Sequence, residues 1–338
     1  MILPARSMDA TKKNRYFEQR LALLHDGAHS FDDLAMEIFH YQAVANPVYK
    51  RFLELTGQDE KKIDSVCDVP FLPVQFFKSK RIQSGEWKPE AQFSSSGTTG
   101  MVRSRHFIHS LLHYEQVSRQ IFEDQIGNLD SFQILGLLPG YLDNPESSLI
   151  HMVKCFELHS SPISFFRLDF QSLEAAIQQA LSEGKTPLIF SVTYALLKMA
   201  EEYPISLQDC VVIETGGMKG LGREMCKAEI LEILQNRLEI KSLYSEYGMS
   251  EMQSQAYGTN GLYRSGFSMR VLRREVEDPL GESLKSGRGA LNIVDLANFA
   301  TCSFIATEDL GMVHNELEFE VFGRLDESEI RGCNLLFT

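Results

Sequence analysis

Between about residue 130 and residue 244 the chain alternates short apolar runs with helix-periodic stretches, and this alternation constrains the fold more than any other feature. Phe132 to Leu138 is an apolar run that ends at Pro139-Gly140 and reads as a buried strand. Ser147 to Phe156 then reads as a helix, Ser164 to Leu168 as a strand, and Leu173 to Leu181 as a helix closed by Gly184. Pro187 to Thr193 is strand-like and Ala195 to Glu202 helical. Cys210 to Thr215 is a strand stopped by Gly216-Gly217, Glu224 to Leu238 a helix, and Ile240 to Tyr244 a strand. Strand and helix alternating at this spacing imply an α/β fold, with a mostly parallel sheet covered by helices.

The flanks differ in texture. Arg15 to Leu24 and Phe31 to Leu53 carry helix-spaced apolar positions. Val69-Pro70-Phe71-Leu72-Pro73-Val74 has two prolines and is expected to be extended. After about residue 267, the β-rich runs Met269 to Arg273, Ala290 to Val294, Cys302 to Ala306 and Leu317 to Phe322 are separated by Gly and Asp turns. They predict a small antiparallel sheet or barrel.

Charge narrows the partners. The 338 residues carry 33 basic and 46 acidic side chains, a balance of −13, which argues against nucleic acid or an anionic membrane surface as main partner. No stretch reaches the roughly 18 to 20 apolar residues of a membrane-spanning helix. Met1 to Arg20 contains no apolar signal segment, so a cytoplasmic location is expected. The six cysteines are scattered without a C-x-x-C pair, which disfavours a zinc ribbon or a disulfide scaffold. His109 and His113 are four apart on an expected helix, which is metal-ligand spacing, but no Cys or acidic residue completes a site there, so a surface or core role is expected.

Ser94-Ser95-Ser96-Gly97-Thr98-Thr99-Gly100 is the most informative segment. Glycine allows close backbone approach to an anion, and hydroxyls with exposed N–H groups donate to phosphate oxygens. It is neither a Walker A motif nor a dinucleotide fingerprint, and composition alone allows a Ser/Gly linker equally well. Tyr244-Ser245-Glu246-Tyr247-Gly248-Met249-Ser250-Glu251 follows a predicted strand, where residues line the crevice of an open α/β sheet. Tyr247 offers a flat face, Ser250 a hydroxyl and Glu251 a hard oxygen ligand for Mg²⁺; an ordinary turn with solvated carboxylates is the alternative. Thr307-Glu308-Asp309-Leu310-Gly311 and Gly323-Arg324-Leu325-Asp326 add an Asp able to bridge ribose hydroxyls and an Arg able to pair with phosphate or carboxylate, or else form polar β-turns.

In this order the segments resemble the adenylate-forming superfamily of acyl-CoA synthetases and related ligases. The resemblance implies ATP and Mg²⁺ as cofactors. Ser95, Ser96, Gly97, Thr98, Thr99 and Gly100 match its phosphate loop, and Thr215, Gly216 and Gly217 its glycine-rich strand end beside adenine. Tyr247, Gly248, Ser250 and Glu251 match its aromatic-Gly-x-Thr/Ser-Glu motif, with Glu251 as the metal ligand. Asp309 matches the ribose-binding Asp, and Arg324 the Arg after the next Gly. Within the superfamily the chain is most similar to the LuxE-type acyl-protein synthetases. Phe71 to Lys78, Leu137 to Leu142 with Ser147 to Leu149, and Arg331-Gly332-Cys333 carry that likeness.

The resemblance implies one adenylation domain over residues 1–338: a helical region 1–90, an α/β nucleotide-binding core 91–267 and a β-rich part 268–338 ending in Cys333. It also implies activation of a fatty acid, transfer of the acyl group to Cys333, and delivery to a partner, an acyl reductase or a carrier protein. Cys333 fits because nearby cations such as Arg331 lower a thiol's pKa. The other cysteines lie in apolar runs or at element ends, as core residues do. The mobile C-terminal domain of full-length acyl-CoA synthetases, with its lysine, is expected to be absent because the chain stops at Thr338; Lys219, just after Gly216-Gly217, Lys78 or a partner protein is then expected to supply the positive charge. Two further expectations stand beside this one: a coenzyme A or carrier-protein ligase without acyl-enzyme, and a non-catalytic nucleotide- or acyl-binding subunit.

Overall fold

The computed structural model describes residues 9–95, 102–140, 144–216, 227–278 and 280–325. In chain order the helices are α1 (Ala10–His25), α2 (Phe31–Ala45), α3 (Pro47–Leu55), α4 (Phe76–Ser79), α5 (Leu111–Gln125), α6 (Ser148–Cys155), α7 (Phe170–Ser182), α8 (Thr193–Glu202) and α9 (Lys227–Leu238). The strands are β1 (Leu72–Pro73), β2 (Ala91–Ser94), β3 (Arg105–Ile108), β4 (Phe132–Leu137), β5 (Ser164–Phe166), β6 (Thr186–Val192) and β7 (Val211–Thr215). They continue with β8 (Ser242–Tyr247), β9 (Ala256–Thr259), β10 (Leu262–Ser265), β11 (Met269–Arg274), β12 (Gly287–Asp295), β13 (Phe304–Asn315) and β14 (Glu318–Arg324). The chain forms two units: Met1–Val117, Glu251–Ser254 and Ser265–Thr338 make the first, and Ser118–Ser250 with Gln255–Arg264 the second.

The second unit holds the predicted parallel sheet. Its strands lie in the order β9-β8-β7-β6-β4-β5. All neighbours are parallel except β8 and β9. From Pro187 to Val192 every residue of β6 is buried, and so are Val212 to Thr215 of β7. A strand buried at successive residues is covered on both faces, which is why these runs are apolar without alternation. The Asp169 carboxylate caps α7 by accepting from the Ser172 amide at 3.0 Å, and α8 starts directly where β6 ends.

One strand boundary departs from the sequence expectation. β8 does not stop at Tyr244 but continues to Tyr247. Its inward residues Leu243, Ser245 and Tyr247 alternate with more exposed ones, and Ser245 to Tyr247 pair antiparallel with Ala256 to Gly258. Pairing with a strand that follows in sequence extends β8 through polar residues that look like a turn.

The first unit is helical and then β-rich, as the flanking texture predicts. The stretch Phe31 to Leu53 is two helices, because Pro47 cannot continue α2. Asn46 ends α2 and caps α3, its Oδ1 accepting from Val48 N at 3.1 Å and Tyr49 N at 3.0 Å. β11, β12, β13 and β14 form an antiparallel sheet, and the proline-bounded β1 adds to β13 in parallel. The Val74 amide extends that pairing to the Ala306 carbonyl at 2.9 Å. Phe39, Phe71 and Phe304 meet edge to face beneath it.

A buried polar hub organises this unit. The Asp295 side chain is fully buried and accepts four hydrogen bonds. Oδ2 receives Gln253 N at 2.7 Å and Ser254 N at 3.2 Å; Oδ1 receives Ser254 Oγ at 2.6 Å and Ala297 N at 3.1 Å. Burial pushes its pKa up while these donors pull it down. Around it, Gln42 donates to the Asn298 and Phe299 carbonyls and accepts from Ser303 N, and Asn46 donates to the Thr301 carbonyl. Asp295→Asn turns an amide donor toward at least one of these four donors. It is expected to lower unfolding free energy by about 2–4 kcal/mol, against about 1 kcal/mol for Ser254→Ala. Urea denaturation of the two variants checks this; equal stability of Asp295→Asn and wild type would contradict it.

Candidate functional site

The carboxyl ends of β7 and β8 bring together the motif residues of the second unit. Thr215 is the last residue of β7 and pairs in register with Glu246 of β8. Gly216 follows with φ +73°, a left-handed turn that lets the chain leave the sheet at once. Tyr247 is the last residue of β8, buried, with its ring centroid 5.8 Å from that of Tyr263. Strand ends of a parallel sheet are where α/β proteins place ligands, so this corner is a physically sensible site.

Two carboxylates here were not singled out in the sequence. The Glu246 carboxylate accepts from the Thr215 hydroxyl through Oε2, and a Cβ at Gly248 would lie only 2.4 Å from its Oε1. Gly248 is therefore the residue that makes room for this side chain. Glu214, almost fully buried, lies one position back on β7, and Thr193 Oγ1 bridges its Oε2 at 2.6 Å and the Gly216 carbonyl at 2.5 Å. Burial, with the neighbouring Glu214 charge, raises the Glu246 pKa to about 7 against the pull of the Thr215 hydroxyl. A lone Glu inside a strand carries no sequence signal for this; only the register of β7 against β8 reveals it.

In the first unit, β2 and β3 form the hairpin that bears the Ser/Thr/Gly segment. Its base is closed by Ser95: the Ser95 amide donates to the Ser104 carbonyl at 3.3 Å, and the Ser104 amide to Ser95 Oγ at 3.1 Å. The Ser94 hydroxyl, buried at the end of β2, has no hydrogen-bond partner among the described residues. Glu251 is buried at 7% exposure, and its carbonyl accepts from Asn298 Nδ2 at 2.7 Å. Ser250, half-buried, ends the second unit's stretch of chain. Ser96, Gly97, Thr98, Thr99, Gly100, Gly217, Lys219 and Cys333 lie outside the described residues.

Asp309 and Arg324 face each other in register across β13 and β14, with Arg324 Nε 3.3 Å from Asp309 Oδ1. Asp309 is thus in the middle of β13 rather than at a strand end, because the bulge at Leu310/Gly311 lets the strand run on to Asn315. Asp309 is nearly buried, while the Arg324 side chain is 68% exposed. Behind Asp309, the buried Arg274 donates to the carbonyls of Leu291 and Thr307 and to Asn292 Oδ1. Burial lowers its pKa to about 10, opposed by Asp309.

His109 and His113 do not share a helix: His109 precedes α5 and His113 lies in its first turn. Both rings pack on Phe299, and His113 Nε2 lies 3.1 Å from the Ala297 carbonyl. A cleft of about 350 Å³ in the first unit is lined by Lys62, Pro70, Phe71, Glu282 and Asn292 among others, and by none of the residues matched to the nucleotide-binding motifs. No helix among the described residues is long and apolar enough to cross a membrane.

The donor set suits Mg²⁺ as well as nucleotide. One carboxylate at Glu251 is enough for a cation that takes most of its oxygens from phosphates and water. The Ser94 hydroxyl, without a partner among the described residues, adds a donor at the hairpin that bears the Ser/Thr/Gly segment.

No family profile and no curated protein matches the chain. Solved structures do. A 2-hydroxyisobutyryl-CoA ligase, in complex with 2-HIB-AMP and CoA, is similar with TM-score 0.61 and 13% identity, over 97% of this chain and 73% of that one. ATP-bound MatB from Rhodopseudomonas palustris is similar with TM-score 0.53 and 12% identity, over 69% of this chain and 48% of that one. O-succinylbenzoate CoA synthetase (MenE) from Bacillus subtilis, with ATP and magnesium, has TM-score 0.50 and 16% identity, over 72% and 53%. The chain therefore has the α/β fold of these ligases and spans about half the length of MatB.

The Glu246 environment predicts a pH effect. Its folded pKa of about 7 stands above the ordinary 4.5, so its contribution to stability is full below pH 4.5 and is lost as pH rises through 7. Relative to Glu246→Gln, the wild type is expected to lose up to about 3 kcal/mol between pH 4.5 and 8, read from denaturant midpoints at several pH values. Parallel pH profiles for the two proteins would refute the assignment.

Proposed function

We propose that the protein activates a carboxylic acid with ATP, forming an acyl-adenylate and pyrophosphate, and passes the acyl group to a thiol. The observation that supports it best is the grouping of Thr215 and Gly216 with Tyr247 and Gly248 at adjacent parallel strand ends, in a fold shared with ATP-bound MatB and MenE. A carboxylate oxygen of the acid bonds to the α-phosphorus, and the bond to the bridging β-phosphate oxygen breaks. A thiolate then bonds to the acyl carbonyl carbon, AMP leaves, and a thioester remains. Such steps need positioning and charge neutralisation more than covalent help.

The residues divide the work. Ser95, Ser96, Gly97, Thr98, Thr99 and Gly100 take the leaving phosphates, Ser250 the α-phosphate, and Tyr247, Gly216 and Gly217 bracket adenine. Asp309, with Arg324 beside it, accepts from the ribose hydroxyls. Mg²⁺, held through Glu251, would neutralise phosphate charge. The acid is a fatty acid and the first thiol is Cys333, as in the LuxE-type family, with an acyl reductase or carrier protein taking the acyl group onward. A second reading gives coenzyme A the thiol role, because the similar 2-hydroxyisobutyryl-CoA ligase was captured with CoA.

With ATP, Mg²⁺ and a labelled fatty acid, the protein is expected to gain one hydroxylamine-labile acyl group, seen in its intact mass. Cys333→Ser should abolish the label yet keep ATP–pyrophosphate exchange. Full labelling of Cys333→Ser removes Cys333 from the pathway, and exchange with thioester formed only on added CoA favours the second reading. Glu251→Gln is expected to slow exchange by about 10²-fold. Absence of exchange with every acid tested would defeat the adenylation reading.

A further inference from the structure

Four residues of the first unit form an unbroken hydrogen-bonded chain between the phosphate-loop hairpin and Glu251. His106 lies on β3, two residues beyond Ser104, which closes the base of the loop. Its Nε2 is 3.0 Å from Thr301 Oγ1. Thr301 Oγ1 is 3.0 Å from Asn298 Oδ1, and Asn298 Nδ2 is 2.7 Å from the Glu251 carbonyl oxygen. The side chains of His106, Asn298 and Thr301 are buried to within about 1% of their surface.

Counting protons gives the links one consistent direction, with the shorter of the two Thr301 contacts to Asn298 taking the hydroxyl proton. A hydroxyl has one proton to give. Asn298 Oδ1 can only accept, so Thr301 gives its proton there. Thr301 Oγ1 must then accept from His106, which carries the proton on Nε2. Gln253 Nε2 also donates to Asn298 Oδ1, at 3.2 Å, and flipping the Asn298 amide would set its oxygen against the Glu251 carbonyl oxygen. Its NH₂ group is left to hold the Glu251 carbonyl. In a buried setting such links polarise one another, and one missing member costs the whole chain its geometry.

We infer that His106, Thr301 and Asn298 are positioning residues, which hold the Glu251 backbone at a fixed place relative to the base of the phosphate-loop hairpin. This rests on the reading of Glu251 as the Mg²⁺-holding group. No atom of the chain need touch substrate. Its part is to let the metal-holding carboxylate and the phosphate-holding hairpin share one rigid reference. Apolar side chains could fill the same volume, but they would not specify where the Glu251 carbonyl sits.

Thr301→Val removes the hydroxyl with little change of volume, and Thr301→Ser restores it. In ATP–pyrophosphate exchange, Thr301→Val is expected to raise the Mg²⁺ concentration at half-maximal rate by about 5-fold, and Thr301→Ser to return it to the wild-type value. A simple loss of folded protein would lower the maximal rate and leave half-saturation where it was; that result overturns the inference. Amide hydrogen exchange provides a readout that needs no activity. In Thr301→Val, peptides covering residues 102–110 and 248–256 should both exchange about 10-fold faster, with β4 and β6 unchanged. Unchanged exchange in either peptide, or a uniform increase across the chain, also overturns it. If wild type shows no exchange of pyrophosphate with any acid, the function reading fails while the hydrogen-exchange result still decides the chain.

Discussion

The first unit depends on a single buried charge. Asp295 has no exposed surface, and a carboxylate in that position is tolerable only if donors surround it. Three of its four donors come from Gln253 and Ser254. This requirement explains an otherwise odd division of the chain. Ser250 belongs with the second unit, and the next four residues with the first. The segment from Glu251 to Ser254 is captured because its amides satisfy Asp295, and Asn298 then fixes the Glu251 carbonyl. A residue proposed to hold Mg²⁺ is placed by a carboxylate that never meets the metal.

The second unit is built on a different principle. Its strands are ordered by apolar burial, and polar groups concentrate where the strands end. Thr193, Glu214, Thr215 and Glu246 form one connected set at the ends of β6, β7 and β8. Gly216 and Gly248, which look in sequence like flexible turn residues, have definite tasks here. One supports a left-handed exit from β7, and the other leaves space for the Glu246 carboxylate.

What the sequence makes legible follows from these two principles. β4, β6 and β7 can be read because continuous apolar runs are their own evidence of burial on both faces. The break at Asn46-Pro47 is equally local, yet helical apolar spacing carries across it and hides it. The last turn of β8 cannot be read, since Tyr244 to Tyr247 become strand only by pairing with β9. The hub is the least legible part. Gln42, Asn46, Asp295, Asn298 and Thr301 are ordinary polar residues, and Gln42 meets Asn298 across 256 positions of sequence. The motif residues Thr215, Tyr247, Asp309 and Arg324 are legible because short motifs are local, whereas Glu246 needs the register of two strands.

The acidic balance of −13 raises the question of how such a chain accommodates a polyanion. The two arginines described beside Asp309 do little toward it. Arg274 spends its donors on the Leu291 and Thr307 carbonyls and Asn292, and Arg324 stands against Asp309. The structure offers another route, which is to remove negative charge instead of adding positive. Burial beside Glu214 holds Glu246 protonated up to about pH 7, so the strand ends carry one charge fewer than their carboxylates suggest. On the proposed reading, this lowers the repulsion that a nucleotide meets at the ends of β7 and β8.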